Sequence, residues 1–365
     1  MRILLLGEYS NLHHTLSKGL KKLGHEVTLV SDGDGWKDYP RDIDLRRKGY
    51  GPGATLRYGV DLLRILPKLR GYDVVQIINP LFLDLKSKPN LRVFRYLKRH
   101  NKKVFLGAFG LDHYWVKTCL DGSTFRYSDF YCGERLIPNP ANPRIIREWM
   151  ESDKKEVNRL IAEECDGIIA CLYEYFESYK KEFGDKLTYI PQPIDCSEVE
   201  QRPLSGPVDK VKFFIGIQKS RSISKGTDVM YEALRTVYDE SPDECEILKA
   251  ESVPYAEYIR MMNGSHILID QLYSYTPAMN ALIGMAQGLV IAGGAEPEMF
   301  ELQRETELRP IINLHPEKER ICESFRAIIR EKERLPELSR QSIAFVNKHH
   351  DHVKVAASYV AFWKK

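Results

Sequence analysis

Three cations in one short loop set the first chemical question. The stretch FFIGIQKSRSISKGTD runs an apolar strand into Gly216, places Lys219, Arg221 and Lys225 in the following loop, and opens the next helix at Gly226. Cations at the carboxyl end of a strand suit a diphosphate, arginine as a bidentate grip and lysine as a point charge. A solvated basic loop is the alternative. The second element is QLYSYTPAMNALIGMAQG, residues 271–288. Thr276 is suited to cap a helix and Pro277 to its first position, where a missing N–H costs nothing. The amides of Ala278, Met279 and Asn280 are then expected to point out of the helix start and favour phosphate. Gly288 stops the helix. Met279, Leu282, Met285 and Ala286 also make an apolar stripe, so an ordinary core helix fits the same residues.

Other polar residues stand where a parallel sheet presents ligands. LGAFGLDHYW follows a strand and puts Asp112 and His113 at its carboxyl end. They read as an acceptor contact or a proton-handling pair, or else as a loop aspartate and a packed histidine. Glu8, His13 and His14 lie in the first strand–helix loop, where they either bind an acceptor or supply polarity to a helix start. The run KSKPNLRVFRYLKRHNKK has eight Lys/Arg from Lys86 to Lys103 and no acid. Leu91, Phe94 and Leu97 share a helical face there. The cations form either a solvated outer face or a patch for anionic lipid heads, each worth about 1 kcal/mol near such a surface. His349-His350-Asp351-His352 lacks metal-ligand spacing and reads as the polar start of the last helix. Gly49-Tyr-Gly-Pro-Gly53 is too irregular for a dinucleotide fingerprint.

The elements that must position these residues follow from the apolar pattern. Strands are expected at Ile3–Leu6, Val27–Val30, Val74–Ile78, Val104–Leu106, Gly167–Ala170 and Leu187–Ile190, with helices such as Leu12–Leu23 between them. After PQPIDCSEVEQRPLSGPVDK, rich in Pro and polar residues, the alternation restarts at Val211–Ile217 and runs to Ile311–Leu314. Strands separated by helices imply right-handed crossovers and a mostly parallel α/β sheet. A length of 365 residues implies two domains. Hydrophobic content of 43% and charged content of 29% exclude extended disorder, and a net charge of +3 is too small to argue for nucleic acid. The seven cysteines include no Cys-x-x-Cys pair and are expected to be reduced thiols in a cytoplasmic protein. The apolar run of MRILLLG is too short for a signal peptide, and no stretch approaches a membrane span.

Taken together, MRILLLGEYSNLHHTLSKGLKKLGHEVTLVS, AEECDGIIACLYEYFESY, YIPQPID, GIQKSRSISKGTD, SVPYAEYIRMMNGSHILIDQ and MNALIGMAQGLVIAGGAEPE resemble a GT-B glycosyltransferase of the retaining, nucleotide-sugar type. The resemblance covers nearly the whole chain. It implies two doubly wound Rossmann-like domains facing across a cleft: an acceptor domain over 1–192, a linker over 193–209, a donor domain over 210–346, and a C-terminal helix, 347–365, returning to the first. It implies that Arg221 and Lys225 hold the donor diphosphate, with Gly216, Lys219, Gly226 and Thr276 around it. The amides of Ala278–Asn280 would cap the distal phosphate, and Val253 would lie by the base. The family's Glu-x7-Glu pair is replaced by Tyr275 and Ile283, which alters the sugar and ribose contacts. Glu296 and Glu298 are candidates to take over, though Glu298 equally suits a helix cap. The resemblance implies no cofactor and no metal. Asp32-Gly-Asp34, like the metal motif of a different glycosyltransferase fold, reads here as a surface turn. The expected partners are a nucleotide-diphosphate sugar and a saccharide or lipid-linked acceptor, with peripheral membrane contact through Lys86–Lys103.

Overall fold

The structure, a computed structural model, describes residues 1–251 and 253–365, the side chains of residues 255 and 256 excepted. Met1–Thr118, Pro143–Asp195 and His352–Lys365 form one unit, and Cys119–Asn142 with Cys196–Asp351 a second. This division differs from the expected boundaries in that residues 119–142 belong with the second unit; the chain passes from one unit to the other at Asp195–Cys196, ahead of an irregular, mostly exposed stretch over 200–208. The physical reason is aromatic. Phe125 and Tyr127 of the inserted segment pack on Tyr275 of the second unit, with ring centroids 5.4 and 5.0 Å apart.

The first unit is built on β1 (Arg2–Leu6), β2 (Glu26–Ser31), β3 (Ile43–Asp44), β4 (Val74–Ile77) and β5 (Lys103–Ala108). The inserted segment holds an antiparallel hairpin, β6 (Tyr131–Cys132) and β7 (Arg135–Leu136), and the first unit resumes with β8 (Gly167–Ala170) and β9 (Leu187–Tyr189). Its seven strands are ordered β3-β2-β1-β4-β5-β8-β9, all parallel. Ile3–Leu6 and Val74–Ile77 are buried at every position, which is why they read as near-continuous apolar runs, interrupted only by Gln76, rather than alternating ones. The last helix, His352–Trp363, packs in this unit against helix Leu12–Lys22. Trp363 Nε1 donates to Gln76 Oε1 at 3.4 Å, and Lys103 Nζ donates to the Trp363 carbonyl at 3.1 Å.

The second unit carries β10 (Val211–Ile217), β11 (Cys245–Glu251), β12 (Ile267–Ile269), β13 (Val290–Gly293) and β14 (Ile311–Asn313) in the parallel order β11-β10-β12-β13-β14. Helix Thr227–Glu240 buries Met230, Ala233, Leu234 and Val237, and helix Lys318–Arg330 buries Ile321, Cys322 and Phe325 beside it. Phe325 meets Phe213 of β10 at 5.5 Å. Both sheets therefore deliver a row of strand carboxyl ends, the rim where doubly wound folds bind ligands.

Candidate functional site

In the second unit the cationic loop leaves β10 through two short helical turns, Lys219–Arg221 and Ser222–Lys225. Gly226 then turns the chain with a φ of +66°, and a side chain there would stand 2.6 Å from Leu272 Cβ, so glycine is needed twice over. The Leu272 amide donates to the Lys225 carbonyl at 2.9 Å, stitching the loop to the segment that follows β12. Asp270 sits at the end of that strand, 5% exposed. Burial pushes its pKa up; against this, Lys225 and Arg221 draw it down by charge, and the Asn280 side chain and Ala278 amide by hydrogen bonds. The carboxylate is thus bonded to the start of helix Met279–Gln287 and feels both cations through their charge, with no salt bridge to either among the described residues. Nothing in the sequence reading singled out Asp270. Its only signal was an acid placed directly after the apolar Ile267–Ile269.

The helix start differs from the expectation by two residues. Ala278, extended at φ −96° and ψ −179°, is the capping residue, and the helix runs Met279–Gln287. Thr276 is not the cap. Ser274 Oγ donates to its carbonyl at 2.7 Å, which holds a turn ahead of the helix. The first-turn amides without an i−4 partner are therefore Met279, Asn280 and Ala281, while that of Ala278 is given to Asp270. Asn280 is further held by the Tyr258 hydroxyl at 3.1 Å. Gly288 closes the helix in the left-handed region, as expected. Lys219 is drawn aside by Glu251 at 3.1 Å. Gly216 faces the Tyr258 ring, 2.8 Å from where a Cβ would stand, so its small size serves packing. Val253 is half-buried after β11, and its neighbour Ser252 lies outside the described residues.

Tyr275 is a structural residue rather than an open donor contact. Its hydroxyl accepts from the Arg126 amide at 2.6 Å, the Arg126 guanidinium lies 5.0 Å from its ring centroid, and the ring is 2% exposed. Burial pushes its pKa up to about 12. The same guanidinium bonds Glu296 at 2.7 Å and grips both oxygens of Glu298, and Tyr127 donates to Glu296. Both glutamates are therefore engaged by Arg126, and Glu298 also accepts from its own amide in the first turn of helix Pro297–Leu302. Ile283 is 36% exposed on the helix and offers no polar atom. Replacing Arg126 with alanine leaves the buried Glu296 without its cation. Because the guanidinium is 53% exposed, the expected loss is about 1–2 kcal/mol, read as a drop of a few degrees in thermal unfolding.

The first-unit candidates are taken up by their own backbone. Glu8 is 2% exposed, and its oxygens accept from the His13 amide at 3.2 Å and the His14 amide at 2.8 Å, plugging the start of helix Leu12–Lys22. It is aimed there by Gly7, whose φ of +89° and 2.2 Å clearance to Ile78 admit no side chain. His13 Nδ1 meets the Gly7 carbonyl at 2.8 Å, and burial holds its pKa down at about 4. His14 Nδ1 meets Asn11 at 2.9 Å. Asp112 accepts from the Trp115 amide at 2.9 Å and the Tyr179 hydroxyl at 2.7 Å, and burial raises its pKa to about 6. His113 bonds Asn158 through its amide and Trp149 through its ring, each at 2.9 Å, and burial lowers its pKa. The packed reading of this pair is the one its contacts favour. Asp34 pairs with Lys37 at 2.6 Å. His349 turns to Glu305 and His352 to Asp195, in different units. Half of the cations in the Lys86–Lys103 run are ion-paired: Lys88 with Asp153, Arg95 with Glu164, Lys98 with Asp166 and Lys102 with Asp73. Exposed Lys86, Arg92 and Arg99 of the same run form no salt bridge among the described residues.

No family model and no curated protein matches the chain. Solved structures do match it. Sucrose-phosphate synthase from Thermosynechococcus elongatus superposes over 100% of this chain and 98% of its own, with a TM-score of 0.64 at 12% identity. HepE from Anabaena, solved with UDP and glucose, covers 100% of this chain and 99% of its own at a TM-score of 0.59 and 10% identity. This chain has the GT-B fold. WaaG, a glycosyltransferase of lipopolysaccharide biosynthesis, agrees over 98% of both chains, with a TM-score of 0.57 at 12% identity. At such identities the likeness establishes GT-B architecture. Chemistry has to be argued from the residues around Asp270.

Proposed function

We propose that this GT-B chain is a glycosyltransferase acting in the cytoplasm. It would move a sugar, with retention of configuration, from a nucleotide-diphosphate donor to a saccharide or lipid-linked acceptor. The observation that carries this reading is that the loop of Arg221 and Lys225 and the segment leading to helix Met279–Gln287 leave neighbouring strands, β10 and β12, at one rim of the second sheet, and are joined there by the bond from the Leu272 amide to the Lys225 carbonyl. Breaking the bond between the sugar's anomeric carbon and the distal phosphate leaves negative charge on the diphosphate. Fixed cations and amides aimed at that charge stabilise the transition state more than the bound donor. The phosphates enter beside Asp270, whose raised pKa eases its protonation as they arrive. UDP is the first nucleotide to test, because the HepE structures hold UDP and UDP-glucose.

The second unit has Glu296 and Glu298 committed to Arg126, so neither is free to act as base. The family resemblance implies that the donor's own phosphate takes the acceptor's proton. The first unit would bind the acceptor. Among the described residues no helix is long and apolar enough to cross a membrane. Incubation with UDP-sugars and candidate glycans, followed by mass spectrometry and proton NMR of the product, tests the reading. A product with the donor's anomeric configuration supports it.

A second reading, a silent GT-B member that binds a nucleotide sugar for a partner enzyme, is favoured by Tyr275 and Ile283. It predicts binding with neither transfer nor hydrolysis of the donor.

A further inference from the structure

We propose that helix Pro52–Ile65 and the loops before it dock the first unit on an anionic phospholipid surface. The helix buries only Tyr58 and Leu62. On another face Leu56, Val60 and Leu63 recur at i, i+4 and i+7, and they are 72%, 38% and 69% exposed. That spacing makes one stripe along a helix. Exposed Arg57, Arg64 and Lys68, spaced seven and four residues apart, run along its flank. Trp36 and Tyr50 stand out at 82% and 86% exposed. The turn carrying Trp36 is tied to the segment carrying Tyr50 by Arg46, which pairs with Asp38 and donates to the Asp32 carbonyl at 3.3 Å. An apolar helical stripe flanked by cations, with Trp and Tyr beside it, is the pattern of a helix lying in a membrane interface.

Charge selects this occupant over a second copy of the chain. Residues 46–70 hold seven Lys/Arg against one acid, Asp61. Like charges would face each other across a twofold contact built from one patch. Among the described residues Lys48, Arg57 and Lys68 form no salt bridge, so their charge remains available to lipid phosphates. Each such cation multiplies partition onto an anionic surface about fivefold, and the apolar stripe adds area removed from water.

Flotation of the full chain with vesicles tests this, using phosphatidylglycerol and phosphatidylcholine in about equal parts against phosphatidylcholine alone. Strong binding to the anionic vesicles is expected. It should fall at least tenfold in L56S/L63S and in R57E/R64E, while thermal unfolding changes little, because all four side chains are exposed and the Asp61–Arg64 pair at 3.4 Å lies on the surface. The proposal is overturned if the unaltered chain ignores anionic vesicles. It is equally overturned if K88E/R92E abolishes binding while L56S/L63S does not, or if sedimentation shows a dimer that L56S/L63S dissolves. The readout is vesicle binding, so its failure leaves the transferase reading untouched.

Discussion

Replacing both Arg221 and Lys225 with alanine should weaken binding of a UDP-sugar by at least a hundredfold while the protein stays folded. A hydrogen bond to a charged group contributes about 1.5–3 kcal/mol, so two bonds to phosphate amount to roughly 3–6 kcal/mol, less any shared effect. The side chains can be spared structurally: Arg221 is exposed, Lys225 half-buried, and neither forms a salt bridge among the described residues. What they do face is Asp270, and its carboxyl can take a proton once the cations are gone. Calorimetric titration of the single and double variants, at two ionic strengths, checks this. Each single change should cost about tenfold or more. Affinity that survives the double change would place the phosphates elsewhere.

The largest pH effect should come from Glu8. Burial raises its pKa to about 8; the amide bonds from His14 and His13 oppose the rise and the charge of Asp34 adds to it. In the unfolded chain a glutamate titrates near ~4.3. Between roughly pH 4 and 8 the folded protein therefore holds a proton that the unfolded chain has lost. Stability must fall as pH rises across that window. The full span corresponds to about 3–5 kcal/mol. Glu8→Gln removes the charge and keeps an acceptor for one of the two helix amides, so its stability should fall less than the parent's between pH 5 and pH 8. Urea unfolding of both proteins at pH 5, 7 and 9 measures the difference, and comparing them cancels His13, common to both. Parallel curves would contradict the assignment.

Both sheets were legible from the residues because parallel strands covered on two faces leave near-continuous apolar runs, as at Ile3–Leu6 and, after Lys212, at Phe213–Ile217. The cationic loop and the Gly288 stop were legible for a similar reason: each is a local pattern. Residues that act through distant partners were not. Arg126 meets Glu296 across 170 positions, and nothing near Arg126 announces that it will fold with the second unit and lock Tyr275. Thr276-Pro277 carries a sound capping signal that Ser274 overrides by holding a turn first. Helix Pro52–Ile65 was hidden because its apolar stripe faces outward, where a pattern search for a core finds no meaning.

The central claim is that a donor diphosphate sits where Arg221, Lys225 and the first turn of helix Met279–Gln287 meet. Hydrogen–deuterium exchange with and without saturating UDP-sugar tests it most directly. Protection should concentrate in residues 217–227 and 276–282 and vanish in the double alanine variant. Protection confined to other segments, or unchanged in that variant, would contradict the account.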